Sequence, residues 1–223
     1  MSEEARTLAW ASASSPEATA AQNDMLRALQ AALRRAMAGD PTADPAFWAD
    51  LDAAYAAYDR YVAAALQGHP VSCAFACTAC CHDNPHGVAG VEILRLSRHL
   101  AQTGLAERIL PAAAEAAQDF AATRASAGAG DLMRAQRARR RSCPLLSAEG
   151  ACQAYAARPI ACRMFHALTP AAWCDPAHAR FSERINPNLV PQRTLLQLLG
   201  AISRFLDQPA ETTLWEGLAS QPR

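Results

Sequence analysis

The sequence predicts a mostly α-helical fold: an irregular helical domain interrupted by loop-rich metal-binding segments. Three observations carry that expectation. The 223-residue chain is rich in alanine and holds only 10 glycines, a composition that favours helix over sheet. Apolar residues recur with a period near 3.6 in several stretches, and no stretch reads convincingly as a strand. Finally, the eight cysteines fall into two groups, placed between the helical stretches rather than scattered through them.

The helices are expected in the following order. A first runs from about residue 17 to 37 on Leu26, Leu29, Leu33 and Met37. A second, over 45 to 67, lines up Phe47, Leu51, Tyr55, Tyr58, Val62 and Leu66, with Asp44 as N-cap, Pro45 in the first turn and Gly68 past the end. A third covers 91 to 103 on Ile93, Leu96 and Leu100 and closes at Gly104. A fourth spans 111 to 124, Asp131 is placed to cap a short basic fifth, and 191 to 206 repeats the pattern on Leu195, Leu198, Leu199, Ile202 and Phe205. The stretch SAGAG, 126 to 130, has the composition of a flexible joint. Three regions follow: an N-terminal helical region, 1 to 68, without cysteine; a cysteine-cluster metal-binding domain, 69 to 190; and a C-terminal helical segment, 191 to 223, packing on the core. Seven prolines punctuate segments 69–90 and 142–190, so these are expected to be irregular and fixed by metal ligation.

Composition narrows the function classes. Hydrophobic residues make up 51% of the chain, ample for a core, and 21 basic residues balance 21 acidic ones. With no global field, nucleic acid and anionic membranes are disfavoured as partners. The opening MSEEARTLAW carries acids where an export signal carries bases, and no apolar run spans a bilayer. The expected location is therefore the cytoplasm, where thiols stay reduced, and clustered cysteines there point to metal or redox chemistry rather than disulfides.

Cys73, Cys77, Cys80 and Cys81 read CxxxCxxCC, and Cys143, Cys152, Cys162 and Cys174 follow downstream. Wound as a helix, the first four would fall within an arc of about 100°. Adjacent Cys80 and Cys81 cannot readily bridge each other; they serve two neighbouring sites, or one is a ligand and the other a packed thiol. Eight thiols suffice for two four-ligand sites, or for one cluster and a reactive remainder. The cofactor expected is an iron-sulfur cluster, with [4Fe-4S] favoured, or zinc; either four-thiolate site carries a net charge of about −2. Cys73, Cys77 and Cys80 also satisfy the CxxxCxxC of radical SAM enzymes, but Ala79 replaces the usual aromatic and no βα repeats follow.

A family resemblance covers residues 73 to 174. The run CAFACTACCHDNP, the Glu92-led helix and the later CQAYAARPIACR, residues 152 to 163, resemble the zinc- or iron-chelating cysteine-cluster family, the YkgJ-like group, whose hallmark is CxxxCxxCC plus a distal CxxYxxRPxxCR. The resemblance implies metal binding, and often an iron-sulfur assignment, without a settled reaction. Related signatures occur in a flagellin lysine methylase group, which raises a protein-modifying enzyme as an alternative, yet no methyltransferase region is evident here. A structural zinc module serving interaction or regulation is another alternative, and any protein or redox partner is unidentified.

Minor signals complete the reading. Arg158 and Arg163 lie near the sulfurs in sequence, where their N–H donors would tune a cluster, and Tyr155 would pack over it. His82, His86, His166 and His178 read as neighbours of the thiols rather than ligands, and His69 and His99 as structural. Arg137, Arg139, Arg140 and Arg141 read as a solvated basic face that offsets thiolate charge.

Overall fold

The computed structural model describes residues 15–74, 76–127, 132–175 and 177–222. Its first two helices form where local chemistry asks for them. Helix α1 (Pro16–Met37) opens on Ser15, whose hydroxyl accepts the Ala18 N–H at 3.1 Å. Helix α2 (Pro45–Ala65) opens on Asp44, whose carboxylate accepts the Ala46 N–H at 2.9 Å. Each side-chain acceptor satisfies a donor that the first turn leaves without a partner, and the proline that follows has no N–H to satisfy. The buried stripe of α1 differs from the expected one: Ala18, Ala21, Met25, Leu29, Ala32 and Ala36 are buried in the first core cluster, while Met37 is exposed. Small alanines let the two helices approach closely, which a count of large apolar residues overlooks.

Helix α3 (Gly90–Gln102) leads into α4 (Ala106–Ser126), which starts five residues earlier than expected and continues through Pro111. That proline removes only one intrahelical bond, and Ile109, Leu110 and Ala113 are buried around it. Helix α5 (Leu132–Arg139), the short turn α6 (Ile160–Arg163) and α7 (Arg193–Phe205) follow. The expected cap Asp131, most of the SAGAG joint and the side chain of Arg137 lie outside the described residues. Helix α8 (Leu214–Ala219) adds to the expected set. Its signal is present in the sequence, because Thr213 and Glu216 have capping-box spacing: Thr213 Oγ1 accepts the Glu216 N–H and donates to Glu216 Oε2.

Two hydrophobic clusters hold these helices. The first joins α1, α2 and α7 with Val91, Ile160 and Leu189. The second joins α3, α4 and α8 with Leu145, Ala154, Ala157 and Ala161 from the cysteine-bearing loops. Both clusters thus reach into the loops, and α3 and α6 contribute to each. Gly217 shows how closely α8 packs on α3: a Cβ there would stand 2.6 Å from Ile93 Cγ1. Among the described residues there is no strand, only isolated bridges pairing Val88 with Thr212 and Leu146 with Cys152. No helix among them is long and apolar enough to cross a membrane.

The cysteine-bearing segments are irregular, as expected, with short 3-10 turns at Ala79–His82, Tyr155–Ala157, Ala171–Cys174 and Phe181–Glu183. Ligation is not the only thing that orders them. Buried Asn84 donates to Thr213 Oγ1 at 2.9 Å and accepts the Trp215 N–H at 3.1 Å, tying the first loop to α8. Ser72 N donates to the Ala167 carbonyl, and Cys143 N to that of Cys81. These bonds satisfy backbone groups that irregular chain would otherwise leave unpaired.

Candidate metal centre

The first four thiols do not share a helical face. The chain on either side of residue 75 is extended or turning, Ala76 has a left-handed φ of 60°, and only Ala79–His82 winds as a turn. Helical winding would need uninterrupted αR geometry across Cys73 to Cys81, and Ala76 breaks it. The loop that carries this kink lies against the second cysteine segment. There Gly150, at φ +81°, brings its backbone so near that a Cβ would meet Thr78 Cγ2 at 3.0 Å.

What results is a division of the thiols. Cys73, Cys77, Cys80 and Cys174 line one open cavity of about 310 Å³, together with His82, His166, Arg140 and Arg184. We call these the outer set. Cys143, Cys152 and Cys162 pack instead against the second hydrophobic cluster and form an inner set. Cys80 belongs electrostatically to both, raising the thiols of Cys73 and Cys174 on one side and of Cys143, Cys152 and Cys162 on the other. Its neighbour Cys81 shares a hydrogen bond with the Cys80 thiol and offers its carbonyl to Cys143 N at 2.8 Å. All eight cysteines are free.

Two opposing influences act on these sulfurs. Desolvation and the neighbouring thiols favour the protonated form: burial pushes the Cys143 thiol up to about 12 and raises Cys73, Cys152, Cys162 and Cys174. Cys80 is raised as well, first by its bond with Cys81 and then by burial. Against this, nearby N–H groups favour the thiolate: Ala167 N donates to Cys73 Sγ at 3.4 Å, and the backbone N–H groups of Leu145 and Ala154, each two residues on, lower the Cys143 and Cys152 thiols. The indole of Trp215, only 1% exposed, lies beside Cys143 and lowers its thiol, yet its Nε1–H makes no hydrogen bond among the described residues. An N–H donor beside a sulfur stabilises its thiolate. A bound cation reconciles the two influences, because it deprotonates the sulfurs and cancels their repulsion.

The residues therefore fit a thiophilic metal by the chemistry of the donors, and the metal would be held by the two sets just described. Among the described residues no group of three or more His, Cys, Asp or Glu side chains is placed to hold a metal ion as it stands, so binding would require the sulfurs to draw together.

The other residues that the sequence points to fall in distinct places. Arg158 stacks 3.5 Å over the ring of Tyr155 and lowers the thiols of Cys80, Cys152 and Cys162 through its charge. Tyr155 itself is 61% exposed. Arg163 is turned toward α2, where it grips both oxygens of Asp59 at 2.6 and 2.5 Å and donates to the carbonyls of Arg158 and Ala156. His86 packs edge-on against Phe120, and His178 stacks on Trp173. Arg140 pairs with Asp175, and Arg141 with Asp119 and Glu115.

Sequence reasoning does not reach Trp215 or Arg184. Trp215 lies in the unexpected α8, and Arg184 is an isolated arginine that the fold alone carries to the cavity. In the orientation that satisfies both neighbours, the Asn186 amide accepts from Arg184 Nε and donates to the His166 carbonyl, both at 3.1 Å.

The family model CxxCxxCC, described as "Putative zinc- or iron-chelating domain", matches residues 72–183, half of the chain. The chain belongs to this family. The match takes in all eight cysteines together with α3 to α6, and leaves out the α1–α2 hairpin, α7 and α8. No curated protein and no solved structure matches the chain. Trp215, Tyr55 and Asp59 thus meet the family domain from outside the matched segment.

Proposed function

We propose that the chain is an iron-sulfur protein of this zinc- or iron-chelating family, with the eight cysteines as ligands, [4Fe-4S] as the favoured cluster and electron transfer as the role. The observation that carries the reading is the gathering of Cys73, Cys77, Cys80 and Cys174 about one open cavity, with Cys143, Cys152 and Cys162 packed against the second hydrophobic cluster. The outer cavity, about 310 Å³ and open to solvent, leaves space beside its four thiols for a cluster, whereas zinc closes four sulfurs tightly about one atom. When bound, such a cluster supplies one-electron redox chemistry, with a potential set by hydrogen bonds to sulfur and by solvent access. The chain's own part is to present the outer sulfurs to a solvent-open cavity, to keep the inner ones packed, and to place Arg158 where its charge offsets that of the thiolates. A reducing compartment, the cytoplasm, suits eight free thiols.

Anaerobic purification with iron, zinc and acid-labile sulfide analysis and a visible spectrum tests this. Iron and sulfide in equal amounts in a coloured protein are expected, and Cys77→Ser and Cys162→Ser should each lower the iron content. A second reading, a structural zinc module, draws on the packing of the inner set into the second hydrophobic cluster. A colourless, air-stable protein with zinc and no sulfide would decide for it.

A further inference from the structure

The α1–α2 hairpin lies outside the family match, yet Asp59 of α2 ends on the segment that carries Cys162, and Tyr55 of α2 ends on Glu92, 3% exposed at the start of α3, which holds that segment. Glu92 Oε1 accepts the Tyr55 hydroxyl at 2.7 Å and the Ile160 N–H at 2.8 Å, while Oε2 accepts Ala89 N at 2.8 Å. Ile160 opens α6, the turn that holds Cys162. Further along α2, Asp59 receives both Nη1 contacts of Arg163, the residue after Cys162, and Arg163 is only 5% exposed. The Tyr55 ring has two guanidiniums beside it, Arg95 at 4.2 Å and Arg163 at 5.4 Å. One side of Cys162 is therefore held by Glu92 of α3, to which Tyr55 of α2 donates, and the other by Asp59 of α2, and α6, one turn long, is too short to hold its own orientation.

We infer that Tyr55, Glu92, Asp59 and Arg163 form a clamp of positioning residues through which the N-terminal hairpin fixes the orientation of Cys162 and thereby the metal retention of the inner thiol set. The clamp rests on the proposed metal binding, but it concerns how tightly an inner ligand is held and does not depend on which metal is bound. The four residues act through the backbone at 160 and 163 rather than on the sulfur itself. The outer Cys73, Cys77 and Cys174 sit on irregular chain or a 3-10 turn, as Cys143 and Cys152 sit on irregular chain, but unlike the inner set they line the open cavity. Loss of metal from the inner set should therefore be the slow step, and the hairpin should govern it.

Chelator-driven release of metal from the full-length, metal-loaded protein tests the clamp, with Tyr55→Phe, Asp59→Asn and Leu29→Ala compared with wild type. Tyr55→Phe removes one hydrogen bond to a buried carboxylate with little change of shape, and Asp59→Asn removes the charge facing Arg163. Each should speed the slowest release phase by about tenfold, the effect of losing one charge-assisted hydrogen bond. Leu29→Ala lowers stability through the α1–α2 core, away from the clamp, and should leave that phase within about twofold of wild type. The inference is overturned if Tyr55→Phe and Asp59→Asn release metal at the wild-type rate, or if Leu29→Ala accelerates release as much as they do. A wild-type protein that arrives without metal under anaerobic conditions refutes the metal reading itself, a separate outcome.

Discussion

Gly150 offers the sharpest test of how the two cysteine segments dock. Replacing it with alanine asks an L residue to hold φ +81° and sets a Cβ 3.0 Å from Thr78 Cγ2. The left-handed backbone costs about 1–2 kcal/mol, of which about 0.4–1 kcal/mol is returned by restricting the unfolded chain. The steric contact lies inside the roughly 3.5–4.0 Å of a relaxed carbon pair, and overpacking of this kind costs about 1–3 kcal/mol. A net loss of about 2–3 kcal/mol is expected for Gly150→Ala on these grounds. Thr78 immediately precedes the 79–82 turn, and its carbonyl accepts Cys81 N at 2.8 Å, so any movement it makes is passed to Cys80 and Cys81. Urea denaturation of the reduced, metal-free protein reads the stability directly. Adding Thr78→Ser to Gly150→Ala deletes Cγ2 and should recover the steric share, leaving only the backbone strain. If Gly150→Ala is as stable as wild type, or if Thr78→Ser restores nothing, the two segments do not dock in this way.

Three further outcomes are expected. Burial raises the Glu92 carboxyl above its ordinary value of 4.5, with its three donors and Arg95 pulling the other way. The folded state then binds more protons than the unfolded one between 4.5 and the raised value, so this group's contribution to stability falls as pH rises through that window. Glu92→Gln should abolish that slope in denaturation curves taken across it, and an unchanged slope would assign it to other groups. Trp215→Phe removes the buried indole N–H near Cys143 while keeping an aromatic ring; it should destabilise the protein by about 1–3 kcal/mol through the space it leaves and shift the visible spectrum of the metal-loaded form. A spectrum identical to wild type would place the indole N–H outside the sulfur's influence. Gly217→Ala drives a methyl to within 2.6 Å of Ile93 Cγ1 and should separate α8 from α3, lowering the thermal midpoint by several degrees; an unshifted midpoint would argue against that packing.

Legibility from sequence varies with the range of the interaction. The α1 and α2 starts are readable because Ser15, Asp44 and the prolines after them act within one turn. The start of α4 is not, because Pro111 reads as a helix beginning, although buried Ile109 and Leu110 carry the helix through it. Helix α8 has a capping-box signal but only six residues, too few for apolar periodicity to register. In the site, all eight cysteines are evident as a group, whereas the expected helical face fails because one residue, Ala76, adopts a left-handed conformation that its identity gives no reason to expect. Sequence adjacency places Arg163 near the sulfurs, but its guanidinium extends to Asp59, 104 positions away.

By itself, then, the sequence determined the helical class, most of the helix positions and the thiols with their family signature, since periodicity, capping and cysteine spacing are local properties written in the order of residues. Only the tertiary structure decided which thiols share a cavity, which pack against the second cluster, and which groups reach in from the hairpin and from α8. Those facts rest on contacts such as Tyr55 with Glu92 and Asn84 with Thr213, between residues far apart along the chain. Burial and hydrogen bonding select such pairs only once the helices have packed, and it is this packing that turns eight free thiols into an outer, solvent-facing set and an inner, clamped one.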